Sequence, residues 1–225
     1  GPLLFPAPEA SKEPAAQGGQ LLRLPTAKED AIALWAPPQP GRAVVVFFHG
    51  NATQIGDLGW LVDVLRGDGN GVLLVEYPGY GVAAGSPSEA SIYRSAARAL
   101  DELPKLGVDK AHTVLVGQSL GSGVAAEMAT RGYGSRLLLI SPFTSIADLV
   151  DGLVPFGLGG VFVTDKFDTL SKARRLKMET VIAHGDLDWI VPVEMGRELA
   201  HRIPGARLEV VEGAGHNDML DDHLL

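Results

Sequence analysis

Apolar residues fall in short blocks separated by polar, glycine- and proline-rich breaks. Leu21–Leu24 and Ala31–Trp35 are short segments split by the polar stretch Thr26–Asp30, which predicts two strands at a sheet edge. Ala43–Phe48 is continuously apolar, β-branched and aromatic, the composition of a strand covered on both faces. Ile55, Leu58, Leu61, Val62 and Leu65 recur at helical spacing, and Gly67 ends that helix. Val72–Val75 is another buried strand. Ser86-Pro-Ser-Glu89 reads as a capping box with proline at the first helical position, opening a helix that runs to about Leu103. Strands follow at Thr113–Val116, Leu137–Ile140, Thr180–Ala183 and Arg207–Val211, with helices at Leu120–Thr130 and from about Pro192 to Ile203.

Alternation of this kind predicts an α/β fold, a mostly parallel sheet with helices on both faces. In such sheets the chemistry sits just beyond the carboxyl ends of the strands. After Val116 comes Gly117-Gln-Ser119-Leu120-Gly121, the G-x-S-x-G pattern between a strand and a helix. The turn is expected to present the Ser119 hydroxyl as a nucleophile, with backbone N–H groups of the following helix aimed at the same point. A serine hydroxyl needs a base, and an imidazole held in one tautomer by a carboxylate supplies it. His216 follows the last strand, and Asp186 and Asp188 share the loop after Ala183. Either carboxylate could serve on position alone. Asp186 suits turn organisation, Asp188 the acid of the triad, and Asp148 is a distant third. Asp218 is read as the cap of a final helix. The order Ser119, Asp188, His216 is that of the α/β-hydrolase triad. The oxyanion of an acyl-transfer intermediate needs two donors, expected from the backbone N–H groups of Leu120 and Asn51. His49 reads as a brace for that loop rather than a second base.

These stretches together resemble one group. Phe48-His-Gly-Asn-Ala52, the elbow, Ser141-Pro-Phe-Thr-Ser145, His184-Gly-x-x-Asp188-x-x-Val-Pro192 and Gly215-His-Asn-Asp218 look like the small, cap-poor α/β-hydrolases related to the α/β-hydrolase-domain lipases and protein depalmitoylases. The resemblance spans roughly residues 21–222. It implies an eight-stranded α/β-hydrolase sheet with a small lid, and Ser119, Asp188 and His216 as the triad. It also departs from the group at Glu76-Tyr-Pro-Gly-Tyr-Gly81, where relatives often have Asp-Tyr-Arg-Gly-Tyr-Gly, which leaves the polar contacts behind the site open.

Composition narrows the partners. Net charge is −8, so the chain lacks the basic footprint of a nucleic-acid binder. With no cysteine there is no disulfide and no thiol chemistry. The six histidines are scattered without an H-E-x-x-H pair, which argues against metal-dependent hydrolysis, and a serine mechanism needs neither metal nor organic cofactor. No apolar run reaches the ~18 residues of a spanning helix. Residues 1–20 read as an extended arm, with Gly1-Pro2 resembling the scar of an engineered protease site, and residues 21–225 as one hydrolase domain. An N-terminal membrane anchor, frequent in the resembled group, would suit a native segment upstream of Leu3, so membrane tethering or export is expected to be decided there.

A lid insertion is expected at about 141–170. Leu149–Val163 is apolar yet rich in glycine, so it cannot be one regular helix. It reads either as a turn and loop covering the core or as a mobile apolar lid that lines an acyl pocket or touches lipid. Phe143, Phe156 and Trp189 are the candidate pocket walls, although such aromatics serve equally as core. The function expected is a serine hydrolase of carboxylic esters or thioesters with a moderately apolar, lipid-like acyl group. A serine peptidase or amidase on the same fold, and a non-catalytic binding module, are the alternatives.

Overall fold

A computed structural model of the chain describes residues 5–8, 11–14, 18–26, 30–153, 160 and 163–220. Eight strands form one sheet: β1 (Gln20–Pro25), β2 (Asp30–Ala36), β3 (Val44–Phe48), β4 (Gly71–Val75), β5 (Thr113–Gln118), β6 (Arg136–Ile140), β7 (Glu179–Gly185) and β8 (Arg207–Val211). Their order is β1-β2-β4-β3-β5-β6-β7-β8. The first two are an antiparallel pair, β2 joins β4 antiparallel, and every pairing from β4 to β8 is parallel.

Side chains alternate between two cores, as the two-residue period of a strand requires. Val44, Val46 and Phe48 of β3 face one core, and Phe47 faces the other. The first core lies under α2 (Glu89–Leu100), α3 (Leu120–Thr130) and α5 (Val193–Arg202). The second lies under α1 (Gly59–Arg66) and the 3-10 turn Asp218–Leu220. The remaining helix, α4 (Ile146–Leu153), follows β6. α3 is buried on nearly every side, which its run of Gly, Ser and Ala permits. A Cβ at Gly123 would stand 3.0 Å from Phe167 Cβ and 3.5 Å from Phe143 Cζ, so small residues are what let this layer close.

Three local expectations change. The helix expected from Ile55 to Leu65 is two pieces, a 3-10 turn Ile55–Asp57 and then α1. The Ile55 amide donates to Glu76 Oε2 at 3.0 Å, which ties the first piece to the end of β4, and Gly59 is a poor helix residue at the join. The capping box is built on Ser88 rather than Ser86, with Ser91 in place of a glutamate. Glu89 is diverted to a distant clasp: its Oε2 accepts the Lys166 amide at 2.8 Å while its own amide donates to Asp165 Oδ1 at 2.7 Å. Asp218 caps no helix from outside; it is the first residue of its 3-10 turn, and its Oδ2 accepts the Gly215 amide at 2.7 Å.

The described part of the N-terminal arm is docked. Phe5 is 2% exposed and packs edge-on to Phe167 with ring centroids 6.0 Å apart. The Pro6 carbonyl accepts the Ala52 amide at 3.1 Å, and Ser11 Oγ donates to the Gly81 carbonyl at 2.6 Å. Lys12 donates its amide to Gln54 Oε1 at 2.9 Å and pairs its ammonium with Asp57 at 3.1 Å.

Candidate active site

Ser119 sits between β5 and α3 with φ 50° and ψ −117°, a left-handed backbone that a non-glycine residue adopts only when its surroundings impose it. Its neighbours impose it by proximity. Any side chain at Gly117 would collide with the Gly121 carbonyl, and any side chain at Gly121 with the Phe48 carbonyl. The Ser119 amide donates to the Ile140 carbonyl at 2.9 Å, and the Ser119 carbonyl accepts from the Ser122 hydroxyl at 2.6 Å. The serine is thus fixed by its backbone, and its side chain is half-buried at the carboxyl edge of the sheet.

The loop after β3 lies against it. A Cβ at Gly50 would be 3.5 Å from Ser119 Cβ, so the backbone leading to Asn51 passes beside the serine. Buried polar groups brace this loop. His49 donates from Nδ1 to the Gly50 carbonyl at 2.8 Å, and its Nε2 meets Glu76 Oε1 at 2.8 Å. Glu76 is fully buried and also accepts the amides of Ile55 and Tyr77. Tyr77 Oη donates to the His49 carbonyl at 2.8 Å, and Tyr80 Oη to Asn51 Oδ1 at 2.6 Å. Burial first, then Tyr80 and Glu76, push the Tyr77 phenol well above its ordinary range; burial and Glu76 do the same for Tyr80. Both therefore remain donors. The polar contacts left open at Glu76-Tyr77 are made, by a glutamate, and His49 is a brace.

His216 and Asp188 meet on the loops after β8 and β7. His216 Nδ1 is 2.7 Å from Asp188 Oδ2, and the Asp188 side chain is fully shielded from solvent. The carboxylate only accepts, so Nδ1 carries the hydrogen and the lone pair lies on Nε2. Asp188 Oδ1 accepts the amides of Ile190 at 3.0 Å and Val191 at 2.8 Å. Burial pushes the Asp188 carboxyl upward. The donors His184, His216 and the Val191 amide outweigh it and hold the group well below the usual carboxylate range. Asp186 takes a different part: its Oδ1 accepts the Gly213 amide at 2.7 Å, tying together the loops that carry Asp188 and His216. Asp218 fixes the same His216 loop through Gly215.

The expected pocket walls separate. Phe143 is 3% exposed and belongs to the core beneath α3, whereas Trp189 is 83% exposed beside Asp188, next to the exposed Leu187. Phe156 lies outside the described residues. Glu76, Tyr77, Tyr80 and His184 were not assigned roles in advance. Their signal was position alone, since each stands at or just beyond the carboxyl end of a strand. Among the described residues no group of three or more His, Asp or Glu could hold a metal ion, and no helix is long and apolar enough to cross a membrane.

Comparison with known proteins bears on the family and the fold. The family described as "Serine aminopeptidase, S33" matches residues 39–159, and the family described as "alpha/beta hydrolase fold" matches residues 143–223. The chain is 33% identical over 197 residues to the α/β hydrolase domain-containing protein aho-3 of Caenorhabditis elegans, covering 84% of this chain and 57% of the relative. It is 32% identical over 184 residues to the putative α/β hydrolase L404 of Acanthamoeba polyphaga mimivirus, covering 79% and 68% respectively. The chain therefore spans little more than half the length of the nematode relative. The fold of the Pyrococcus furiosus esterase Pf2001 superposes with a TM-score of 0.76 over 96% of this chain and 91% of that one, at 16% identity.

Proposed function

Because the chain belongs to the α/β-hydrolase family, we propose that it is a serine hydrolase of carboxylic esters or thioesters acting through an acyl-enzyme. Ser119 Oγ attacks the acyl carbonyl while His216 Nε2 takes its proton. The carbonyl oxygen gains the negative charge and is held by the backbone N–H groups of Leu120 and Asn51. As the tetrahedral intermediate collapses, the bond to the alkoxide or thiolate breaks, and His216 gives that group its proton. Water then enters, loses a proton to His216 and releases the acid, restoring Ser119. Asp188 keeps the imidazole in one tautomer and balances its charge when it is protonated.

The observation that carries this reading is the 2.7 Å His216–Asp188 pair on loops at the same sheet edge as a strained serine. Exposed Leu187 and Trp189 next to the acid favour a moderately apolar acyl group. Ser119→Ala is expected to lower p-nitrophenyl ester turnover by at least about a thousandfold with the circular dichroism spectrum unchanged. Undiminished turnover in that variant would refute the assignment. The aminopeptidase description of the matching family supports a second reading, amide hydrolysis with the same residues. Rates on matched short-chain esters, long-chain thioesters and peptide amides separate the two.

A further inference from the structure

His184 takes no part in the chemistry above, yet it is fully buried directly behind the acid. Its Nε2 lies 2.9 Å from the Val191 carbonyl and 3.4 Å from Asp188 Oδ2. Both neighbours are acceptors, so Nε2 carries the hydrogen. Nδ1 is then the unprotonated nitrogen, and among the described residues it has no hydrogen-bond partner. It faces α5 instead, where a Cβ at Gly196 would stand only 2.5 Å away. Leaving a buried ring nitrogen unpaired carries a desolvation penalty, so the imidazole is held there against a cost.

What that arrangement secures is the acid. The Val191 carbonyl takes the His184 hydrogen, and the Val191 amide donates to Asp188 Oδ1 at 2.8 Å. The 188–191 turn is therefore clamped at Val191 from both ends of one residue. Asp188 Oδ2, the oxygen that holds His216, lies alongside the same N–H. We propose that His184 is a positioning residue, whose Nε2–H anchors the Val191 carbonyl and lies against Asp188 so that Oδ2 stays on His216 Nδ1. A leucine of similar bulk would fill the space and supply no donor. A glutamine can put an amide N–H where Nε2–H was. Gly196 belongs to the same device, because a Cβ there would stand 2.5 Å from Nδ1 and push the ring away from its acceptors.

This inference rests on the serine-hydrolase reading, and the experiment separates the two. The full chain is compared with His184→Leu, His184→Gln and Gly196→Ala. The measurements are fluorophosphonate labelling of Ser119, kcat and KM on a p-nitrophenyl ester, and the low-field proton resonance of His216 Nδ1–H. His184→Leu and Gly196→Ala are expected to lower kcat and the labelling rate about tenfold with KM little changed, by analogy with the loss of groups that orient metal-bound histidines. The low-field resonance should broaden or move in both, and His184→Gln should restore rate and resonance. Gly196→Ala keeps the imidazole and only displaces it, so its loss of rate identifies position as the cause. If wild type labels and the folded leucine variant labels equally fast with the resonance unmoved, His184 is a packing residue and the proposal fails alone. If wild type itself never labels, the hydrolase reading has failed first.

Discussion

Ser119 owes its conformation to two places where backbone lies against backbone. Gly117 abuts the Gly121 carbonyl, and Gly121 abuts the Phe48 carbonyl, with no room for a methyl at either. Gly121→Ala must therefore push α3 away from β3 or abandon the elbow. We expect it to cost more than about 2 kcal/mol in urea unfolding, with Ser119 labelling lost. Gly152 is the control: among the described residues nothing lies within 4 Å of its added Cβ, so Gly152→Ala in α4 should be neutral or stabilising by up to about 1 kcal/mol. Equal cost at both positions would show that close backbone approach is not what the elbow requires. The glycine pair was legible in the sequence because both residues flank the serine. The partners of His49 and His184 were not, since Glu76 is 27 residues away from the first and the second depends on how a turn folds back.

At the level of elements, strands were read more accurately than helix starts. β8 and α3 have the bounds that their composition predicts, because a β-branched stretch and a small-residue run each end at a charged residue, Glu212 and Arg131. α2 begins later than its Ser86-Pro-Ser-Glu89 pattern suggests, because a tertiary clasp to 165–166 claims the glutamate that a local cap would use. The arm is a second case of distant contacts deciding local structure. Prolines and glycines make residues 1–20 look like a spacer, but Phe5 reaches the first core. Phe5→Ala is expected to cost about 3 kcal/mol, lowering Tm by roughly 6–12 °C at this chain length. A shift below about 2 °C would mean that the arm does not hold in solution.

For the whole molecule, the sheet order brings β5, β7 and β8 together with only β6 between, so loops far apart in sequence emerge at the same sheet edge. This much followed from the alternation of strands and helices. The same edge stores a pH dependence. Asp188 is held below its ordinary range in the folded chain, so the unfolded chain binds more protons as acid is added. Its contribution is complete above about pH 5, declines below about pH 4, and is lost as pH falls through the lowered native value. Urea midpoints measured from neutral to about pH 3 should fall for wild type and fall less for Asp188→Asn. Parallel curves would show that Asp188 is not held ionised by its donors. The arm adds a mechanical corollary. Pro6, Ser11 and Lys12 fasten the leading thread to Ala52, Gln54 and Asp57 and to their neighbour Gly81. A handle attached at the front of the polypeptide is in series with Ala52, so a pull there loads the residue beside Asn51, whose amide is proposed above to receive the anion, before it strains any strand.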